Sequence, residues 1–215
     1  PTETVTRATI LPKFLTIVGT HANPLLVDLG PAIGCNVSLF TEQLSCKIVV
    51  EDLFASIEAQ AKGERHDQEA PPSDRCAQLT HERGSVDGVL CWDLFDYLDH
   101  ESSLSLAETL GRIIRPGGVL HGLFSTTPAI TSHYTQFLLD GETVRQRPYP
   151  ATPTRRQVIE TGTLLRMFTY FENPDLVLLK RVLDPARTSM ESLQSTMEKW
   201  ERELRVYVAR SGERV

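Results

Sequence analysis

The stretch Val27-Asp28-Leu29-Gly30-Pro31-Ala32-Ile33-Gly34 has residue types and spacing suited to holding a ligand. An acid closes an apolar run, and glycines follow it before a helical pattern begins. Glycines let the backbone come close to a ligand and adopt unusual φ/ψ. The helix N-terminus beyond them offers unpaired N–H groups and a favourable dipole to polar or anionic atoms. Asp28 is therefore a candidate to hold a ligand or to fix the loop; a capped turn is the plain alternative. Gly30, Pro31, Gly34 and Asn36 belong to the same bend. The bend is not the GxGxxG dinucleotide fingerprint, because Ala32 stands where the middle glycine belongs. That spacing argues against a nicotinamide-dependent oxidoreductase.

Two other segments end apolar runs with polar side chains. Lys47 to Val50 leads into Glu51, Asp52 and Leu53, and Val86 to Trp92 leads into Asp93, Leu94, Phe95, Asp96, Tyr97 and Leu98. In open α/β sheets, ligands bind at the carboxyl ends of strands. Trp92 either packs on a ligand or belongs to the core. Asp93, Asp96, Tyr97 and His100 fall on that edge, where one of them could act as a general base for a hydroxyl substrate; caps and solvated loop positions are the commoner use. His133 and Tyr134, after Ser125-Thr126-Thr127-Pro128, line a pocket or an exposed linker. Arg145, Arg147, Arg155 and Arg156 form a local basic cluster, suited to an anionic substrate or simply solvated.

The elements that must position these groups alternate strand and helix, which implies a parallel sheet with helices on both faces. Lys13–Val18 reads as a short helix with Pro12 in its first turn. Strands are expected at Leu25–Leu29, Lys47–Val50, Cys76–Leu79, Val86–Trp92 and Val119–Phe124. Helices are expected at Val37–Leu44, Leu53–Lys62 and Leu104–Ile114, the last stopped by Arg115-Pro116-Gly117-Gly118. Tyr134 to Arg147 reads as a β-hairpin around Asp140-Gly141. Pro148, Pro150 and Pro153 read as a stiff linker, and Arg155–Phe171 as helical. Asp175–Val182 and Leu204–Ala209 complete the strands. Ser189–Glu203 is a helix whose Leu193, Met197, Trp200 and Leu204 share one face, which packs on the sheet or forms a homodimer contact.

Bulk properties narrow the class. The 215 residues suffice for one domain with a full core. A hydrophobic share of 40% argues against disorder. The net charge of -6 disfavours nucleic acid as a partner. No apolar run approaches the ~18 residues of a membrane helix. Pro1 to Leu11 lacks the layout of a signal peptide. Cys35, Cys46, Cys76 and Cys91 form no CxxC pair and have no zinc-ligand spacing with a histidine, so no metal is expected. They read as buried small hydrophobes in a reducing cytoplasm.

In order, these phrases resemble the class I S-adenosylmethionine-dependent methyltransferases. Asp28-x-Gly30 with Gly34 is similar to that family's acidic glycine loop, with Ala32 as the departure. Glu51-Asp52 resembles the acid ending its second strand, which holds the ribose hydroxyls; Asp52 is in the better register. A carboxylate with free acceptor oxygens suits a diol. Arg75-Cys76-Ala77-Gln78-Leu79 with Gly84-Ser85-Val86-Asp87 resembles its adenine-side stretch, where Cys76 offers a backbone N–H and the usual acid is replaced by Arg75. Leu110 to Leu120 resembles the element before its fifth strand. The resemblance spans about Leu25 to Phe124.

It implies a Rossmann-like, doubly wound, mostly parallel sheet of seven strands in a three-layer α/β/α arrangement. The last strand is antiparallel and tucked between the fifth and sixth. The chain would be one domain, with a hairpin insertion near 133–150 and an inserted helix near 185–203. The implied activity is methyl transfer from S-adenosylmethionine to an acceptor the sequence does not identify, with a small molecule favoured. Cofactor contacts would come from Asp28, Gly30, Pro31, Gly34, Asn36, Glu51, Asp52, Leu53, Cys76, Trp92 and Asp93. Asp93, Tyr97, His133 and Tyr134 are the weaker catalytic candidates. The competing expectation is a noncatalytic binding or scaffold module of the same fold, toward which the altered glycine loop leans.

Overall fold

A computed structural model describes residues 3–7, 11–63, 79–140, 143–180 and 202–211. The first half alternates strand and helix as its apolar runs dictate. Strand β1 (Thr4–Arg7) precedes α1 (Leu11–Val18), β2 (Leu25–Asp28), α2 (Gly34–Leu44), β3 (Lys47–Val50), α3 (Leu53–Ala61) and β4 (Val86–Trp92). A 3-10 turn at Leu94–Tyr97 leads to α4 (His100–Ile113), whose N-cap Asp99 accepts a bond from the Ser102 N–H at 2.8 Å. Then come β5 (Ile114–Ser125), β6 (Ala129–Leu139), β7 (Thr143–Arg156), α5 (Thr161–Met167), β8 (Phe171–Lys180) and β9 (Arg202–Ser211).

The main sheet has six strands among the described residues, in the order β3-β2-β4-β5-β9-β8. Strands β3, β2, β4 and β5 run parallel. Strand β9 is antiparallel to both β5 and β8 and lies between them. Six of the seven strands expected from the sequence lie in this sheet among the described residues. The expected strand at Cys76–Leu79 lies outside the described residues except for Leu79.

Side chains alternate across the parallel strands, and both faces are covered. Leu26, Leu90, Trp92 and Val119 pack with Phe14, Ile17 and Val18 of α1 and Phe40 of α2. Val27, Val89, Cys91 and Leu120 pack with Leu106, Leu110 and Ile113 of α4 and Leu164 of α5. Burial on both faces explains why these strands read as continuous apolar runs. At Gly88 a Cβ would come within 2.7 Å of Val18 Cγ2, so glycine sets how closely α1 approaches β4. Cys46 and Cys91 are buried as expected, whereas Cys35 is exposed and Cys76 lies outside the described residues.

A second sheet, ordered β1-β7-β6, has three strands. Strands β6 and β7 pair antiparallel from Ala129↔Arg156 to Leu139↔Val144. The proline-rich stretch is therefore strand, not linker. Among the described residues, the pairing of β7 with β1 runs from Thr143 to Gln146, and Pro148 and Pro150 lie outside it. The helix expected over Arg155–Phe171 shrinks to α5, because Arg155 and Arg156 still pair with β6 and Phe171 already pairs with β9. Of the helix expected at Ser189–Glu203, Arg202 and Glu203 belong to β9. The rest, with Leu193, Met197 and Trp200, lies outside the described residues. Among the described residues, no helix is long and apolar enough to cross a membrane.

Three polar ties hold the second sheet to the segments that follow β2, β3 and β4. The Asn36 amide donates to the Phe137 carbonyl at 2.7 Å and accepts from the Leu139 N–H at 2.9 Å. The Glu58 carboxylate accepts from the Thr152 N–H at 3.0 Å and from its hydroxyl at 2.8 Å. The Gln157 N–H donates to the Asp96 carbonyl at 2.7 Å. The second sheet is thereby fixed over the carboxyl edge of the first. Asn36 is 1% exposed, so both backbone groups it serves have no water to turn to. Replacing Asn36 with Ala orphans both, and we expect a loss of roughly 3 kcal/mol. Denaturant titration measures this loss, and hydrogen exchange should show early release of Phe137 to Leu139.

Candidate functional site

Strand β2 ends on Asp28, and β4 ends beside it on Trp92. The Asp28 side chain turns back over its own loop: Oδ1 accepts from the Gly30 N–H at 2.9 Å and from Trp92 Nε1 at 2.6 Å. Asp28 is only 2% exposed. Burial pushes its carboxyl up to about 6, against the lowering effect of both hydrogen bonds, and the Asp52 charge raises it further. Trp92 adopts φ +50, in the left-handed region that bulky residues avoid. Its indole stacks on Phe137 with centroids 5.3 Å apart and meets the His121 ring edge-on at 5.9 Å. His121, between Phe14 and Trp92, is pushed down to about 4 by burial and is neutral.

The indole also decides what Gly30 is for. A Cβ on Gly30 would lie 2.5 Å from Trp92 Cδ1, so this glycine admits the tryptophan. Gly34 differs: a Cβ there meets nothing within 4 Å. Pro31 is half-buried in the loop between them. Helix α2 starts at Gly34, earlier than the expected Val37, and Ile33 at its N-cap supplies no side-chain bond. The open face of the bend and the uncapped helix start therefore coincide. The Asn36 side-chain amide binds β6 at both its nitrogen and its oxygen.

The end of β3 is stitched to this bend. The Glu51 N–H donates to the Asp28 carbonyl at 2.8 Å, and the Leu53 N–H to the Leu29 carbonyl at 3.0 Å. Asp28 and Asp52 therefore share one edge. Asp52 adopts φ +30, and its Oδ1 accepts from the Ala55 N–H at 3.2 Å, capping α3. Glu51 Oε1 lies 3.3 Å from His81 Nε2. Leu53 is half-buried against the core. Left-handed backbone at both Asp52 and Trp92 marks this edge as strained, as ligand sites often are. Cys76 lies outside the described residues.

Asp93 is 2% exposed and Asp96 is fully buried. Asp96 accepts from the Ser125 N–H at 2.9 Å. Asp93 Oδ2 lies 3.5 Å from the Tyr97 hydroxyl, while its Oδ1 has no hydrogen-bond partner. Burial and then the Asp96 charge hold the Asp93 carboxyl well above the usual carboxylate range. Tyr97 and Tyr134 meet edge-on at 5.0 Å, and Phe54 lies against both. Tyr134 is thus a core residue of the junction between the sheets, not part of a linker. His133 is half-buried on β6, with Nδ1 3.0 Å from the Thr131 hydroxyl. The expected basic cluster divides: Arg145 pairs with Asp140 at 2.9 Å, Arg147 lies 3.7 Å from Glu3, and the Arg156 Nε is buried without a partner. Glu58 was illegible as a neighbour of this edge, because it acts on Thr152 across 94 residues of chain. Among the described residues, no cluster of His, Cys, Asp or Glu could hold a metal.

Two changes probe this centre. Gly30→Ala forces the indole away and should cost on the order of 2 kcal/mol, read from the denaturation midpoint. The raised Asp28 carboxyl binds its proton more tightly folded than unfolded. Its contribution therefore favours the fold at acid pH and is lost as pH rises from about 4 to about 6. The change is on the order of 3 kcal/mol, and Asp28→Asn should remove that step from a stability-versus-pH series.

No family model matches the chain, and no curated protein matches it. Solved structures do. An S-adenosylmethionine-dependent methyltransferase from Methanosarcina mazei is 10% identical with TM-score 0.54, over 96% of this chain and 98% of that one. A Listeria monocytogenes protein assigned to the same enzyme class is 10% identical with TM-score 0.55, over 94% and 96%. Phosphoethanolamine N-methyltransferase 2 of Haemonchus contortus, solved with S-adenosyl-L-methionine, is 11% identical with TM-score 0.50 and is matched over 53% of its length, against 94% of this chain. With its strand order and antiparallel β9, the chain has the α/β Rossmann-like fold of the S-adenosylmethionine-dependent methyltransferases.

Proposed function

We propose that this chain binds S-adenosylmethionine along the carboxyl edge of β2, β3 and β4 and transfers its methyl group to a small-molecule acceptor. The observation that carries this reading is the adjacency of the Asp28 bend and the Asp52 strand end, stitched by the Glu51 and Leu53 N–H groups. Asp52 is the residue for the ribose hydroxyls, because Glu51 faces His81. The Gly34 turn and the uncapped start of α2 suit the polar end of the ligand. Asp28 acts indirectly, holding the loop and Trp92 in place. When bound, the cofactor supplies an electrophilic methyl on a sulfonium; the protein's task is alignment and exclusion of water. The second sheet, tied down by Asn36, Glu58 and Asp96, is suited to that exclusion. The buried thiols of Cys46 and Cys91 fit a cytoplasmic setting.

One observation favours a second reading, a noncatalytic module of the same fold. The Trp92 indole fills the space beside Gly30 that a ligand backbone contact would otherwise use. Turnover of labelled cofactor separates the two readings.

Calorimetric titration with S-adenosylmethionine and S-adenosylhomocysteine should give micromolar affinities. Asp52→Asn should weaken both by about tenfold, the loss of roughly one charge-assisted hydrogen bond. Gly34→Leu fills the open face and should abolish binding while barely moving the melting temperature. No heat from either ligand with the unaltered protein sinks the proposal.

A further inference from the structure

Helix α3 begins beside Asp52 and is tied to the second sheet by Glu58. Apolar packing alone does little to orient it. The helix has 9 residues, and Phe54 is its deeply buried anchor at 2% exposure. Leu53 and Ile57 are only partly buried against the core. The Phe54 ring meets Tyr97 and Tyr134 edge-on at 5.8 and 5.4 Å. A helix this short depends on tertiary contacts for its place.

Two sets of polar contacts supply them. At the start of α3, Asp52 Oδ1 accepts from the Ala55 N–H at 3.2 Å, and the Leu53 N–H reaches the Leu29 carbonyl at 3.0 Å. Further along, the Glu58 carboxylate gathers donors from two strands of the second sheet. It accepts from the Thr152 N–H at 3.0 Å and from the Thr152 hydroxyl at 2.8 Å, both on β7. The Tyr134 hydroxyl of β6 donates to it as well, and Lys62 Nζ lies 3.5 Å away. Burial acts to raise the Glu58 carboxyl, but the Thr152 bonds and Lys62 hold it below its ordinary value. Donors to an ionised carboxylate make strong hydrogen bonds.

We propose that Glu58 is a positioning residue for the cofactor: by locking α3 to β6 and β7 it sets the Asp52 carboxylate in the orientation that the ribose hydroxyls require. Asp52 depends on its surroundings for that orientation. Its backbone is left-handed at φ +30, which a residue with a side chain adopts only under constraint. The cap commits Oδ1 to the Ala55 N–H, so the direction of α3 dictates where Oδ2 points. About 9 Å of helix separates Glu58 from Asp52, so a tilt released at Glu58 turns the carboxylate while the strand end stays in place. Thr152 and Tyr134 belong to the second sheet, and their bonds to Glu58 carry the position of that sheet into the cofactor edge. Glu58 acts only through Asp52.

The inference rests on the methyl-transfer reading for its ligand, and the test separates the two. S-adenosylhomocysteine and its 2′-deoxy analogue are titrated calorimetrically into the full chain. The unaltered protein should bind the 2′-deoxy analogue about tenfold more weakly, the loss of roughly one charge-assisted hydrogen bond. Glu58→Ala should weaken S-adenosylhomocysteine by about tenfold and leave the 2′-deoxy analogue within about twofold, so that the preference for the diol disappears. Glu58→Gln keeps one acceptor oxygen and should recover part of that preference. Thr152→Val removes the hydroxyl bond alone and should narrow the preference in the same direction; it decides the matter if Glu58→Ala does not fold. A structural role alone lowers stability and leaves the preference intact. Equal binding of both ligands to the unaltered protein, or a preference unchanged by these substitutions, overturns the assignment. Hydrogen exchange gives a readout that needs no ligand: Glu58→Ala should speed exchange of the Ala55 N–H relative to the amides of β2. If neither ligand binds the unaltered protein, the methyl-transfer reading fails and exchange decides alone. Faster Ala55 exchange then retains the hold of Glu58 on Asp52, and unchanged protection overturns it.

Discussion

The bond from the Trp92 indole to the buried Asp28 carboxylate fixes the carboxyl edge of the sheet. It joins the ends of β2 and β4, and the same carboxylate oxygen holds the Gly30 N–H. A buried carboxylate is costly unless hydrogen-bonded, so the loop must follow wherever Asp28 is placed. The indole can reach it only because Gly30 has no side chain and because Trp92 accepts a left-handed backbone. Each of these costs is compensated by the others, which makes the edge a unit rather than a set of contacts.

That unit sets the position of the second sheet. Phe137 of β6 stacks on the other face of the indole, and Asn36 binds the backbone on either side of Leu138. Glu58 and Asp96 repeat the arrangement from the next two crossover segments. The ties are hydrogen bonds to backbone groups, so they specify register as well as proximity. The consequence is a roof whose inner side chains, Tyr134 and Tyr149, meet Asp93 and Tyr97 from below.

Much of the main sheet was legible because its strands are apolar on both faces and its turns carry glycine, proline or acid. The order of phrases from Leu25 to Phe124 pointed to the fold, and β9 lies between β5 and β8 as that fold implies. The second half was harder to read. Pro148, Pro150 and Pro153 signalled a linker, but all three lie within β7, beyond the part of it that pairs with β1 among the described residues. Arg155 to Phe171 has helix-forming composition, yet pairing with β6 and β9 claims both of its ends. The bonds of the Asn36 amide to β6 were not legible either, since they span more than 100 residues of chain.

Hydrophobic period and turn chemistry are local properties, so the order of residues alone set the alternation of strand and helix and put Asp28, Asp52, Trp92 and Asp93 at strand ends. Packing across elements settled that Gly30 makes room for Trp92, that Gly34 in the same bend keeps an open face, and that Asp93, Tyr97 and Tyr134 are buried together. Those facts depend on which atoms touch across elements distant in the chain. Burial, orphaned hydrogen-bonding groups and close approach are properties of the packed whole, and no spacing along a strand or helix encodes them.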